Sequence, residues 1–152
     1  MSQPAPPKTE PGFEELLARA EEIKRYLDAL ANTLNTYLTQ YRELQIASET
    51  LKNIPSGGGE TLVVVDRLST ALVPTRIAED WDSRVLVNLG LGYYLKTSRD
   101  KALEIISRRI SELERVVNEL RARYEQLSRE YNELREKISA QLATQESSQL
   151  TM

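Results

Sequence analysis

Few side chains in this sequence belong to the types that commonly catalyse reactions. Its 152 residues include no cysteine and no histidine, which removes the thiolate nucleophile, the disulfide and the usual general base near neutral pH. One acidic cluster, Glu79, Asp80 and Asp82 beside Trp81, offers the oxygen ligands that a hard cation binds. A solvated loop accounts for this cluster better than a cation site does, so we predict no catalytic, cofactor-binding or metal-binding residue.

Two glycine-rich segments share a composition with nucleotide-binding loops but lack the motifs. Gly90-Leu91-Gly92 has the first two glycines of a dinucleotide-binding loop, but the third is missing because position 95 is leucine, and no helix follows directly. The segment Ser56 to Gly59 lacks the Lys-Ser/Thr pair of a phosphate-binding loop. Both segments are therefore predicted to be turns.

Charge and hydropathy also restrict the partners. The net charge of −3 argues against a surface built for nucleic-acid phosphates. No apolar run approaches the roughly 20 residues that a bilayer span requires, and the N-terminal segment MSQPAPPKTEPG lacks the basic start and apolar stretch of a signal peptide. We expect a cytoplasmic protein that binds neither nucleic acid nor membranes.

The strongest pattern is a repeat of apolar residues at alternating spacings of three and four. The first array consists of Phe13, Leu16, Ala20, Ile23, Leu27, Leu30, Leu34, Tyr37, Tyr41, Leu44, Ser48 and Leu51, of which only Ser48 is polar. The second consists of Leu103, Ile106, Ile110, Leu113, Val117, Leu120, Tyr124, Leu127, Tyr131, Leu134 and Ile138. A period of 3.5 residues keeps one stripe facing a partner helix over many turns, so both arrays predict a coiled coil.

Local signals mark where these helices end. Pro55 and the glycines behind it end the first helix, which is predicted over residues 13–54. Thr97 followed three positions later by Asp100 has the capping-box pattern, so the second helix is predicted over residues 98–143. The tails, residues 1–12 and 144–152, are expected to be disordered.

The two helices have similar lengths, at about 1.5 Å per residue, and are expected to fold back on each other. An antiparallel pairing places Ala20 near Tyr131 and Leu27 near Tyr124, which sets small residues against large ones. Both ends of the chain then lie at one tip of the coiled coil. The apolar residues predicted at that tip are Phe13, Leu16, Leu17, Leu134, Ile138 and Leu142. Seam packing or fraying is the alternative explanation for each of them.

Residues 60–97 follow a different pattern, that of short β-strands. Runs of β-branched, aromatic or aliphatic residues occupy 62–65, 72–77, 85–89 and 93–96, with turn residues between them. They predict two consecutive hairpins, with the second strand an edge or a bulge because it contains Pro74. So small a sheet cannot bury a core alone, which predicts assembly through the hairpins. The candidate interface residues are Val63, Val65, Val85, Val87, Tyr93 and Leu95, with burial inside one subunit as the alternative.

The segment SRVLVNLGLGYYLKTSRDKALEIISRRI, Ser83 to Ile110, resembles the second hairpin and following helix start of the archaeal-type alpha subunits of prefoldin. The order helix, two hairpins, helix extends the resemblance over roughly residues 13–140. The first turn, residues 66–70, departs from the glycine-rich turn usual in that family.

The resemblance implies an α+β, mostly α, fold in which the hairpins of several subunits form a β-barrel. It implies that alpha-type chains associate with each other through their hairpins and that beta-type subunits join them, in a hetero-hexamer of two alpha and four beta-type subunits. The coiled coils of this assembly bind unfolded polypeptides at their tips. It further implies a chaperone that works without ATP and delivers its substrates to a group II chaperonin. It implies no enzymatic activity.

Two other functions fit part of the pattern. A structural or tethering coiled coil needs the heptads alone, but it does not need a β insert or apolar tips. A secondary-channel factor of RNA polymerase also uses an antiparallel coiled coil, but it carries acidic residues where its helices join. Here a whole β module occupies that junction, so this second alternative ranks well below the first.

Overall fold

The chain folds as two long α-helices with two β-hairpins between them in sequence order. The computed structural model describes residues 3–4 and 12–150. Its elements are α1 (Phe13–Asn53), β1 (Gly59–Val64), β2 (Leu72–Ile77), a 3₁₀ turn (Trp81–Ser83), β3 (Val85–Gly90), β4 (Tyr93–Thr97) and α2 (Arg99–Leu150). This order confirms the predicted fold class. Across the described ranges, no helix combines the length and apolar content needed to cross a membrane.

The described residues divide into two compact units. The helical unit contains the residues up to Thr36 and those from Val117 onward. The hairpin unit runs from Tyr37 to Val116 and contains both hairpins. Each long helix contributes one part of its length to each unit.

The core of the helical unit is the predicted apolar seam. Its buried residues are Leu16, Ala20, Ile23, Leu27 and Leu30 of α1 with Leu127 and Leu134 of α2. Leu120, Tyr124, Tyr131 and Ile138 are partly buried against them. Residues from both helices thus share one cluster, and the predicted partners Ala20 and Tyr131 are both in it.

One ion pair joins the two helices at the edge of this seam. The Arg19 guanidinium donates to the Glu130 carboxylate, with Nη2 at 2.9 Å and Nε at 3.3 Å from Oε1. In an antiparallel pairing of Ala20 with Tyr131, Arg19 lies opposite Asn132. Glu130 is two residues from that position, within reach of the long arginine side chain, so the ion pair is compatible with the predicted antiparallel register. This hydrogen bond is also the main reason that the pKa of Arg19 is raised.

The hairpin unit has its own contact between the two helices. The Tyr41 hydroxyl donates to the Glu114 carboxylate at 2.9 Å. This hydrogen bond raises the pKa of Tyr41 because it favours the protonated hydroxyl. A seam tyrosine thus packs its ring between the helices and keeps its polar end at their edge.

The start of α2 differs by one residue from the prediction. The Ser98 hydroxyl accepts a hydrogen bond from the Lys101 amide at 3.2 Å, so Ser98 is the N-cap residue. Thr97, the predicted cap, is instead the last residue of β4 and pairs with Val85. Ser98 caps the helix in place of Thr97 because Thr97 is part of β4.

The predicted end of α2 at residue 143 is wrong, since the helix continues to Leu150. The Thr144 and Ser147 hydroxyls donate to the carbonyls of Ala140 and Ala143, four residues earlier in each case. These bonds satisfy side chains that otherwise compete with the helix backbone. Of the predicted N-terminal tail, all but Gln3, Pro4 and Gly12 lies outside the described residues.

The first hairpin closes without a glycine in its turn. The Asp66 carboxylate accepts a hydrogen bond from the Thr70 amide at 2.8 Å. Hydrogen bonding by the Thr70 side chain, followed by this amide bond, lowers the pKa of Asp66. Ser69 takes the left-handed conformation, with φ at 57°. The Asp66 side chain therefore stabilises a turn that contains no glycine. At the other end, Gly59 belongs to β1 rather than to the predicted turn.

The second hairpin closes through the predicted glycine turn. Gly90 pairs with Tyr93, and the residues between them, Leu91 and Gly92, have φ values of 54° and 82°. Positive φ at both central positions matches the twist of paired strands. A bulge lies just before the turn, where the Asn88 side-chain oxygen accepts the Gly90 amide at 2.7 Å.

Trp81 joins the segment between the hairpins to both helix ends. Its indole nitrogen donates to the Pro55 carbonyl, just beyond α1, at 2.8 Å. The guanidinium carbon of Arg99, the first residue of α2, lies 5.7 Å from the ring centroid, within cation–π range. One side chain thus links the end of one helix, the inter-hairpin segment and the start of the other helix.

We predict that Ile23→Ala lowers the free energy of unfolding by about 2–5 kcal/mol. Ile23 is only 2% exposed in the helical-unit core, so its loss leaves a cavity. Tyr26→Ala, on the same helix but exposed, is the control and should change that free energy by less than about 0.5 kcal/mol. Urea unfolding followed by circular dichroism measures both, and equal effects would mean that the seam does not stabilise the unit.

We predict that Gly58→Ala destabilises the hairpin unit clearly more than Gly57→Ala. Both glycines have positive φ, 69° and 88° respectively, so both variants carry a backbone cost of about 1–2 kcal/mol. Only at Gly58 would the added methyl collide with the carbonyl oxygens of Ile77 and Ala78. The comparison of the two thermal unfolding midpoints isolates the collision, and equal midpoints would contradict the close approach.

Candidate functional site

The end of the helical unit is the first candidate site. The pairing of Ala20 with Tyr131 places Phe13, the first residue of α1, opposite Ile138, which is partly buried against the seam. Because α2 continues to Leu150, its last turns extend past the start of α1. The side chains on those turns therefore have no residue of α1 opposite them.

The structure sorts the six predicted tip residues into three classes. Leu16 and Leu134 are buried in the seam, so the seam explanation applies to them. Leu17 and Leu142 are exposed, at 39% and 45% of their surface. The remaining two, Phe13 and Ile138, are partly buried. Only part of the predicted set is thus accessible to another molecule.

The helical extension adds one residue that the sequence analysis did not include. Leu150 is on the last turn of α2 and is 87% exposed. Its signal in the sequence was the run from Ser139 to Leu150, which contains neither glycine nor proline and has alanine, glutamine and glutamate among its residues. Such residues favour a helix, although no apolar period marks them.

The hairpin surface is the second candidate site, because it exposes many large apolar residues. Among the predicted interface residues, Val63, Val65, Tyr93 and Leu95 are exposed. Val85 is partly buried, and Val87 is buried within its own chain. Leu62, Val64, Leu72, Val73, Leu86, Leu89, Leu91 and Tyr94 are exposed as well. An apolar surface of this extent is typical of a protein–protein interface.

Val87 lies next to a hydrogen bond between β3 and α2. The Arg109 guanidinium of α2 donates to the carbonyl of Asn88, the next residue, at 2.7 Å. This bond holds Asn88 of β3 to α2, next to the buried Val87, whereas Leu95 and Tyr93 on β4 stay exposed. The pattern of valines alone gives no sign of this contact.

The acidic cluster does not assemble into a metal site. The Asp80 carboxylate accepts a hydrogen bond from the Arg84 guanidinium at 2.8 Å, and Ser83 donates its hydroxyl to the Asp80 carbonyl at 2.9 Å. Within residues 3–4 and 12–150, no three His, Cys, Asp or Glu side chains come together as metal ligands would. The cluster is part of the loop that Trp81 anchors.

Comparison with known proteins gives a consistent result. A protein-family model described as prefoldin subunit matches residues 23–144. The prefoldin subunit alpha of Metallosphaera sedula is 30% identical over 124 residues, which cover 82% of this chain and 85% of that relative. The subunit of the same name from Aeropyrum pernix is 29% identical, with 91% and 93% covered.

The chain is also similar to one further relative and to one solved structure. The prefoldin subunit alpha of Saccharolobus solfataricus is 29% identical over 122 residues, covering 80% of this chain and 82% of that relative. The cryo-EM structure of filamentous PFD from Methanocaldococcus jannaschii is 20% identical, with a TM-score of 0.43 and coverage of 78% and 91%. Since the family model spans well over half of the sequence, the chain belongs to the prefoldin family of molecular chaperones.

Proposed function

We propose that this chain is a subunit of an ATP-independent holdase that binds non-native proteins at the ends of its coiled coil. The observation that supports this most directly is the pair of exposed leucines, Leu17 and Leu142, beside an intact seam. Non-native proteins expose apolar side chains that folded proteins bury, and exposed leucines bind such chains without sequence specificity.

In this proposal four of the six predicted tip residues contact the substrate, and the other two hold the helices together. Leu17 and Leu142 contact substrate, with the partly buried Phe13 and Ile138 beside them. Leu16 and Leu134 are buried in the seam, so their role is to hold the two helices together beneath the contact surface. Leu150 extends the surface along α2.

The energetics favour weak and reversible contact at each coiled coil. A fully buried leucine or phenylalanine contributes about 1.5–3 kcal/mol, and partly covered side chains contribute a fraction of this. One coiled coil alone should therefore bind substrate with a dissociation constant on the order of micromolar to millimolar. Several coiled coils in one assembly raise the overall affinity without new contacts. Release then requires no nucleotide cycle.

The assembly that provides several coiled coils is the second part of the proposal. The exposed apolar hairpins favour association, since a two-stranded sheet in water is marginally stable. We propose a β-barrel built from the hairpins of several subunits, in a hetero-hexamer of two alpha chains and four beta-type chains. Its interfaces include the exposed residues Val63, Val65, Tyr93 and Leu95. The partly buried Val85 contributes a smaller contact.

Transfer of bound substrates to a group II chaperonin, in the cytoplasm, completes the proposal. Its support is the family to which the chain belongs. The competing function, a tether without chaperone activity, needs the seam but gives no role to exposed leucines at the end of the helical unit.

We predict that the double variant Leu17→Ser, Leu142→Ser loses most of its protection of a denatured, aggregation-prone enzyme. Two partial leucine contacts account for about 1–1.5 kcal/mol per coiled coil, so the concentration of assembly needed for half-protection should rise about tenfold. Light scattering without ATP, in the presence of the beta-type partner, measures this concentration. Native mass should stay unchanged, because neither residue lies in the hairpins.

The matched control is Tyr26→Ser, Ile46→Ser, which removes two exposed apolar side chains of α1 away from the end. It should protect as well as the unmodified chain. Equal loss in both double variants would show that the grip is not at the end of the helices. Aggregation unaffected by the unmodified assembly at several-fold molar excess would remove the chaperone function and leave the tether.

A further inference from the structure

The net charge of the chain is concentrated at the end of its helical unit. The ion pair between Arg19 and Glu130 separates that end, residues 13–18 and 131–150, from the rest of the unit. These two segments contain five glutamates and two basic residues, a net charge of −3. The whole chain also has a net charge of −3, so the charges of all other residues sum to zero. The excess of carboxylates thus belongs to the same end as the exposed leucines.

On α2, a glutamate lies between two of these leucines. Leu142, Glu146 and Leu150 follow one another at intervals of four residues, so they are neighbours on the helix surface, with Cβ atoms about 5–6 Å apart. All three residues are exposed. A polypeptide that covers either leucine therefore comes within reach of the Glu146 carboxylate.

The exposed leucine of α1 has neighbours of the same kind. Glu14 lies three residues before Leu17, and Glu21 lies four residues after it, the two separations at which helix residues are neighbours. Both glutamates are exposed, and Glu21 lies 3.9 Å from the Arg25 guanidinium. None of the three exposed leucines has a basic residue at either separation along its own helix. Each of them is adjacent to at least one carboxylate.

Two of these carboxylates have no cation to neutralise them. As far as the structure describes the chain, neither Glu14 nor Glu146 takes part in an ion pair. The basic residues of this end, Arg135 and Lys137, offset only two of its five glutamates. A polypeptide that binds the leucines takes the adjacent carboxylates partly out of water, which is unfavourable unless a cation accompanies it.

We propose that the end of the helical unit selects non-native segments in which a lysine or arginine lies two residues from a large apolar residue. In an extended chain, residues two apart point to the same side and lie about 6.6 Å apart, close to the separation of leucine and glutamate on each helix. The apolar side chain then covers an exposed leucine while the cation reaches the adjacent carboxylate. This inference rests on the proposed holdase and names the class of segment that it binds.

The selectivity has a modest size and a short range. One exposed pair of opposite charges changes an affinity about 1.5- to 5-fold, and a carboxylate in place of the cation changes it in the opposite direction. At about 0.15 M salt the Debye length is about 8 Å, so only charges close to a glutamate of this end contribute. Several coiled coils in one assembly multiply the preference.

Three labelled peptides of matched design test the selectivity. They share their leucine and phenylalanine positions and differ only two residues away, where they contain lysine, serine or glutamate. Fluorescence anisotropy with the full-length chain at about 0.15 M salt should rank the affinities in that order, with about two- to tenfold between neighbours. At about 0.5 M salt, where the Debye length is about 4 Å, the three dissociation constants should agree within about twofold.

A charge-neutralised variant locates the selectivity. Glu14→Gln, Glu146→Gln should reduce the preference for the lysine peptide over the glutamate peptide at least about threefold, with binding of the serine peptide unchanged. The matched control is Glu119→Gln, Glu125→Gln, which makes the same change in net charge at two exposed positions of α2 outside this end. It should keep the full preference. Equal loss in both variants overturns the proposal, because the selectivity would then follow the net charge of the whole chain.

The remaining outcomes separate the selectivity from the holdase. Equal affinity for the three peptides at about 0.15 M salt, or no measurable binding of any of them, overturns the selectivity. Binding of the lysine peptide that survives Leu17→Ser, Leu142→Ser also overturns it, because charge alone would then account for the binding. Protection of a denatured enzyme without peptide selectivity would keep the holdase. Selectivity that depends on these leucines, without protection, would reject the holdase and keep the site for cationic apolar segments.

Discussion

Burial of one apolar stripe between two antiparallel helices is the constraint on which the helical unit depends. Each helix alone presents an apolar face that water disfavours, and the charged residues around it allow only one face to be covered. Ile23 is nearly fully buried between the helices. The Arg19–Glu130 pair joins the two helices at the edge of the seam. Exposed ion pairs contribute little energy, so the seam supplies the stability and the ion pair the alignment.

The hairpin unit differs from the helical unit, because most of the large apolar side chains on its strands remain exposed. Trp81 ties the inter-hairpin segment to both helix ends, and Arg109 holds β3 against α2. These contacts orient the hairpins without burying most of their side chains. An exposed apolar surface of this extent is typical of a protein–protein interface, and it is the observation on which the proposed assembly rests.

The seam, the hairpins and the glycine turn could be predicted because each has a period or a residue type that admits few alternatives. The cap at Ser98 and the helical end at Leu150 could not, since a serine or threonine hydroxyl can cap a helix or bond back to it with similar energy. The candidate tip was predicted as a group, but which leucines are exposed depends on the seam geometry. Val87 is buried next to the bond between Arg109 and Asn88, a contact that no local pattern contains.

The central claim, that the beginning of α1 lies beside the part of α2 around Glu136, is tested most directly by spin labels at Glu15 and Glu136 in one chain. Dilution with unlabelled chains restricts the measurement to distances within that chain. Paired antiparallel helices should give one narrow population of distances at about 10–25 Å, the interhelical separation of about 8–10 Å plus the label arms. A broad distribution centred beyond about 40 Å, which long helices at about 1.5 Å per residue can reach when they do not pair, would contradict the antiparallel pairing.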